Sequence, residues 1–150
     1  MHEQMVKVWS LVVLCVALMC AGCATPEANV KSADLRSLSM QELDVGLTLD
    51  LYNPNEYSIP VEGIDWRLSL FDNPVANGRA NPDARIPAGG RTDVDVPITL
   101  RLSDLADTAQ QLIRASQIPY LLSGRVHFQV PTGTVSVDFR RDGQWRNPLR

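Results

Sequence analysis

The chain has 150 residues, 45% hydrophobic and 21% charged, with a formal net charge of −3. That is too apolar for a chain that stays disordered, and it lacks the basic surplus of a nucleic-acid binder. Its three cysteines and two histidines leave little for thiol or metal chemistry, because all of them except His127 fall within the first 23 residues.

Lys7 and the terminal amine precede an almost uninterrupted apolar run from Val8 to Met19, the layout of a signal peptide. The run is shorter than the roughly 20 apolar residues that span a bilayer. Ala21 and Gly22 follow it, leaving a backbone open to a peptidase. Ala21-Gly22-Cys23 resembles the end of a bacterial lipobox, in which diacylglycerol is attached to the Cys thiol and a peptidase cuts just ahead of it; Cys20 stands where that pattern usually has Leu. The resemblance implies a lipoprotein signal peptide over 1–22 and lipidation, including palmitate-type acyl chains, on Cys23. Cys15 and Cys20 would leave with the signal, so the mature chain would hold neither free thiol nor disulfide. Several acyl chains, at roughly 0.8 kcal/mol per buried methylene, make such anchoring effectively permanent. An ordinary secretory signal and a short uncleaved anchor are the alternative readings. Ala24 stands where an Asp would favour inner-membrane retention, so the chain resembles lipoproteins of the outer membrane that face the periplasm.

Residues 23–34 are polar with one proline and read as a lipid-anchored tether. The folded domain is expected over 35–146, with a tail at 147–150. Leu43, Val45, Leu47, Leu49 and Leu51 alternate with mostly polar residues, the pattern of a strand with one face in a core. The same period recurs at Ile64, Trp66, Leu68 and Leu70, and again at Val94, Val96, Ile98 and Leu100. Ser103 to Ser116 breaks it: Leu105, Ala109, Leu112 and Ile113 share a helical face, Ser103 suits an N-cap, Asp104 and Asp107 suit a helix start, and Pro119 blocks continuation. Val126, Phe128 and Val130, then Pro131-Thr-Gly133, then Val135, Val137 and Phe139 read as a hairpin. With one helix among many strands the sheets must be antiparallel, which predicts an all-β sandwich with one short helix.

Three segments together resemble the late embryogenesis abundant group 2 family, specifically its water stress and hypersensitive response (WHy) domain. They are Asn53-Pro54-Asn55, Ile59-Pro-Val-Glu-Gly63-Ile-Asp-Trp66, and Ile86-Pro87-Ala-Gly89-Gly90 with Val94-Asp-Val-Pro97. The resemblance implies an immunoglobulin- or fibronectin-like sandwich and an association with desiccation and other stress tolerance, in members that include lipid-anchored bacterial ones. Read physically, Asn53 suits an Asx-turn, Pro54 fixes φ and Asn55 tolerates left-handed dihedrals. Trp66 falls in the core phase, and Gly89 and Gly90 suit a turn with positive φ.

Catalysis finds little support. His127 falls on the polar side of its strand, no Gly-x-Ser-x-Gly elbow is present, and Ser58 and Ser123 look like turn or surface residues. Asp93 and Asp95 share one strand face about 7 Å apart, a spacing open to a hard cation and equally to plain solvent exposure. No catalytic residue, cofactor or metal is expected. The leading expectation is a non-enzymatic, membrane-anchored monomer that protects stress-labile clients or maintains the envelope. The alternative is an envelope module that captures an extended segment of another envelope protein at a sandwich edge. A membrane, through the lipid on Cys23, is the expected partner of both.

Overall fold

Alternation of side chains above and below a strand means that each apolar series must be met by another sheet. A computed structural model, which describes residues 24–150, shows how; the segment 1–22 and Cys23 lie outside the described residues. In chain order the elements are β1 (Glu27–Leu38), β2 (Glu42–Tyr52), β3 (Ile59–Leu70), β4 (Asn73–Ala80), β5 (Arg85–Ile86), β6 (Arg91–Arg101), α1 (Asp107–Arg114), β7 (Gln117–Val130) and β8 (Gly133–Arg146). One sheet has the order β1-β2-β6, and the other β4-β3-β7-β8 with β5 also on β3. All pairings are antiparallel. This is the all-β antiparallel sandwich that the alternation predicts, in the immunoglobulin-like form that the family resemblance implies, with one short α-helix among the described residues.

The core lies between the sheets. Leu43, Val45, Leu47, Leu49 and Leu51 of β2 are all buried, flanked in register by Val94, Val96 and Ile98 of β6. From the other sheet come Ile64 and Leu68, paired with Val126 and Leu122. Trp145 closes one side: its indole stacks on Tyr120 with centroids 4.0 Å apart, and its Nε1 donates to the Ala33 carbonyl at 2.9 Å, tying β8 to β1.

Four expectations need correction. The stretch read as a tether is mostly strand: residues 27–34 belong to β1, paired with β2. Two register irregularities, between Val30 and Ser32 and between Leu35 and Ser37, move its apolar residues off a strict period of two. The stretch 147–150 is no loose tail, since Asn147 is 1% exposed. Ser103 does not cap the helix. Leu102–Asp104 form a 3-10 turn, whose three-residue period sets Leu102 and Leu105 on one buried side. Ala106, with φ of 47°, then breaks the chain before α1, and α1 ends at Arg114 with Ala115 extended and Pro119 inside β7. Trp66 is in the core phase but only partly buried. Its ring lies sideways over Gly78 of the edge strand β4, where a β-carbon would come within 2.6 Å of the indole. Phe139 covers Gly124 in the same way, so the register row Gly78, Trp66, Gly124, Phe139 alternates glycine and aromatic across four strands.

Strand direction defines two poles. The near pole gathers the start of β1, the 53–58 turn, the 87–90 turn and the β7–β8 turn at 131–132. The far pole gathers the β1–β2 turn, α1 and the C-terminal residues.

Candidate functional site

Asn53 and Asn55, at the near pole, are buried, 0% and 7% exposed. A buried carboxamide is stable only if its donors and acceptor are met, and here they are. The Asn55 backbone N–H donates to Asn53 Oδ1 at 3.0 Å, the Asx-turn geometry, and Asn55 Nδ2 donates to the same oxygen at 3.2 Å. Asn53 Nδ2 donates to the carbonyls of Tyr57 (2.7 Å), Pro87 (3.2 Å) and Ile86 (3.3 Å). The backbone adds Asn53 N–H to Gly90 O and Gly89 N–H to Asn55 O. Asn53 thereby stitches its own turn to the Pro87–Gly90 turn.

Asn55 does not adopt the left-handed conformation that its type allows, being absent from the positive-φ residues. Its side chain reaches back to the start of the described chain instead. Ala24 N–H donates to Asn55 Oδ1 at 2.8 Å, and Asn55 Nδ2 donates to Ala24 O at 2.8 Å. One carboxamide thus satisfies both polar groups of one residue. Pro54 holds the turn between the two asparagines with its fixed φ. Gly89 has φ of 62°, as expected, but Gly90 does not have positive φ; a β-carbon there would meet the Pro87 ring at 2.6 Å. Gly63 sits at a bulge on β3, and a β-carbon would come within 2.6 Å of the Arg79 guanidinium. Its bareness lets Arg79 cross the strand and reach Asp65 at 3.2 Å.

The outer face of the β4-β3-β7-β8 sheet holds a constellation that sequence reading does not assemble. His127 is on the outer side, as its phase indicates, yet its side chain is only 18% exposed. Its Nε2 lies 2.6 Å from Asp65 Oδ2, and its Nδ1 lies 2.7 Å from Ser136 Oγ. An ionised carboxylate only accepts, so Nε2–H donates to Asp65 and, in the neutral ring, Nδ1 accepts from the Ser136 hydroxyl. Asp65 is held below the usual carboxylate range first by this His127 bond and then by the Arg79 charge. The Asp–His–Ser order is that of an activated nucleophile, but Ser136 is in mid-strand on an open face. The array acts as a brace across β3, β7 and β8. Beside it Arg125 pairs with Asp138 at 2.6 Å, which lowers the Asp138 carboxyl and raises the Arg125 guanidinium.

On the opposite outer face Asp93 pairs with Lys31, and Asp95 accepts from Thr48 Oγ1 at 2.7 Å. Each carboxylate already has a partner. Among the described residues no group of three or more His, Cys, Asp or Glu side chains is placed to hold a metal. Ser58 accepts from Arg85 at 3.1 Å, and Ser123 lies between Arg67 and Arg140 in the strand register. Neither approaches His127 as a nucleophile would.

Sequence reading reached Asn53 and Asn55 through the motif but missed Ala24 and Ser136. Alternation places His127 and Ser136 on outward faces; only the β7–β8 register sets them opposite each other.

Comparison with known proteins agrees with this picture. Residues 48–143 match the family described as "Late embryogenesis abundant protein". A desiccation-related protein of Arabidopsis thaliana is 24% identical over 129 residues, covering 85% of this chain and 78% of its own length. Late embryogenesis abundant protein Lea14-A of Gossypium hirsutum is 23% identical over 124 residues, 82% of each chain. The solution structure of the same Arabidopsis protein superposes with a TM-score of 0.69 at 21% identity, covering 98% of this chain and 87% of that one.

Proposed function

The chain belongs to the late embryogenesis abundant protein family, and from that premise we propose that it is a non-enzymatic stress-protection protein of the desiccation-related kind, held on a bacterial membrane by lipid on Cys23. The family match over 48–143 carries the stress-protection part of this reading, supported by relatives whose names are desiccation-related, and the lipid anchor rests on Ala21-Gly22-Cys23 of the sequence. It works through its folded surface. Both outer sheet faces are laced with cross-strand ion pairs, Lys31–Asp93 and Arg91–Asp50 on one, Arg79–Asp65 and Arg125–Asp138 on the other. Exposed pairs of this kind add little stability, but they keep a dense charged layer that holds water and discourages contact between apolar patches as water is lost. Among the described residues the large exposed hydrophobics are Met40 (60%) and Leu149 (40%), both at the far pole.

Edge capture of a partner segment has less to support it. Of the strands at sheet edges, β4 begins with Pro74 in its second position, and β6 contains Pro97 and alternates charged residues; prolines and charges are devices that blunt edge pairing. The test is to dry a labile enzyme with the chain and with an inert protein of equal mass. Greater recovered activity with the chain supports protection, and equal loss overturns it. Mass spectrometry of the mature N-terminus separately checks the lipid on Cys23.

A further inference from the structure

We propose that Asn55 is a latch for the residue beside the lipid-bearing cysteine, so that the near pole of the sandwich rests directly on the membrane surface. The inference rests on the reading of Cys23 as acylated; the latch itself does not.

Three observations combine. Ala24 is held by two hydrogen bonds of 2.8 Å to one side chain, and that side chain is buried and oriented by Asn53, which is in turn fixed to three carbonyls of the neighbouring turns. Within this network Ala24 is part of the fold. Cys23 is one residue away, and consecutive Cα atoms are about 3.8 Å apart. A lipid on its sulfur therefore enters the bilayer within a side-chain length of the Asn55 turn, with no run of free chain between. The surface that this brings to the headgroups also differs from the rest of the molecule. In the three turns of the near pole, 53–58, 87–90 and 131–132, Glu56 is the only charged residue and the other exposed positions are filled by Ser, Pro, Ala, Gly and Thr, while Glu27, Arg85 and Arg91 on the flanking strands form a rim of mixed charge around them. Such a surface meets anionic headgroups with little like-charge repulsion and few charges to strip of water.

The occupant of this pole is thus the lipid surface to which the chain is attached. The strands then stand away from the membrane. β7 has 14 residues, which at about 3.3 Å per residue puts the far pole, with α1, Met40 and Leu149, roughly 45 Å outward. Both charged sheet faces are presented sideways to neighbouring molecules, the geometry that a spacer between clients requires.

The experiment uses the lipidated mature chain in vesicles of phosphatidylethanolamine and phosphatidylglycerol. With Cys15 and Cys20 removed and Cys23 acylated, Ala88→Cys, Thr132→Cys, Met40→Cys and Leu149→Cys each supply a single spin-label site. A relaxation agent carried on lipid headgroups is expected to broaden the labels at 88 and 132 strongly and those at 40 and 149 hardly at all; four similar responses would overturn the membrane-facing pole. In parallel, amide exchange at Ala24 should be slowed on the order of 100-fold relative to an unstructured peptide and should return to the peptide rate in Asn55→Ala. Peptide-like exchange at Ala24 in the unmodified protein would overturn the latch without recourse to a variant. If mass spectrometry finds no lipid on Cys23, the anchoring reading fails while the exchange result still decides the latch.

Discussion

Both poles of the sandwich are closed by buried asparagines, but they are stitched in different ways. At the near pole Asn53 and Asn55 lie in one short turn and bind loops that follow or precede it by about thirty residues, including Ala24. At the far pole a single residue, Asn147, does the work. Its Nδ2 donates to Leu112 O and Ala115 O, both at 2.6 Å, and its Oδ1 accepts from the Leu149 N–H at 2.9 Å. Two of the otherwise unpaired carbonyls at the end of α1 are satisfied in this way. The near pole is thus a network in which each carboxamide orients the next, and the far pole is a clasp from the chain end onto one helix. A network fails together, whereas a clasp fails locally.

The largest expected effect tests the network. Asn53→Ala removes a fully buried donor from three carbonyls and an acceptor from Asn55. Net hydrogen-bond losses near 1 kcal/mol each, with buried groups left unpaired, give a cost of about 3 kcal/mol. Denaturant melts should show this as one cooperative loss. A cost below about 1 kcal/mol would mean that water replaces the side chain and that the network reading is wrong.

Asn147→Ala comes next, at about 2 kcal/mol, and amide exchange should rise chiefly in α1 and the residues after it, leaving the near pole unchanged. Truncation after Arg146 should cost about as much as the substitution. If truncation were free, residues 147–150 would be the loose tail that their composition suggests. Asn55→Ala ranks third, at about 1.5 kcal/mol, because Asn53 keeps its carbonyl partners when Asn55 is gone. Equal costs for Asn53→Ala and Asn55→Ala would erase the hierarchy within the near pole.

The two poles also differ in how far the sequence discloses them. Asn53 and Asn55 stand in a recognisable motif, so their importance is legible, though not their burial or their hold on Ala24. Asn147 has no motif around it, and its role exists only because α1 ends beside it. The strands split along the same line. β2, β6 and β7 show a clean period of two because one face is buried along most of their length, whereas β3 keeps it only beyond its bulge at Gly63 and β8 keeps it with Val135 and Val137 half-buried. β1 is obscured by its two register irregularities, and β4, Asn-Pro-Val-Ala-Asn-Gly-Arg-Ala, lacks the bulky apolar residues that an edge strand half outside the core does not need. Trp66 shows the limit of phase alone. Alternation places it inward, but its depth depends on Gly78 of a neighbouring strand lending it space.

The smallest expected effect concerns neither pole, which makes it the control for the comparison. Asp65 lies midway along β3, bonded to His127 and Arg79, and its carboxyl is held below the ordinary value. A carboxyl depressed in the fold contributes stability that is fully present above its unfolded value of about 3.9 and is lost as pH falls through the lower folded value. Asp65→Asn should therefore lower the melting temperature slightly near pH 5, and the gap between variant and parent should close as both are taken from about pH 5 to about pH 2. Asp44 and Asp138 are also depressed, by the Ser37 and Arg125 hydrogen bonds respectively, so the parent keeps some acid sensitivity after Asp65 is neutralised. Because the brace touches neither Asn53 nor Asn147, amide exchange at both poles should be unchanged in Asp65→Asn. A gap that widens toward low pH would show that Asp65 does not gain from its partners in the fold. Altered exchange at Ala24 would show that the outer face and the near pole are one cooperative unit, and the separation of network from clasp would have to be redrawn.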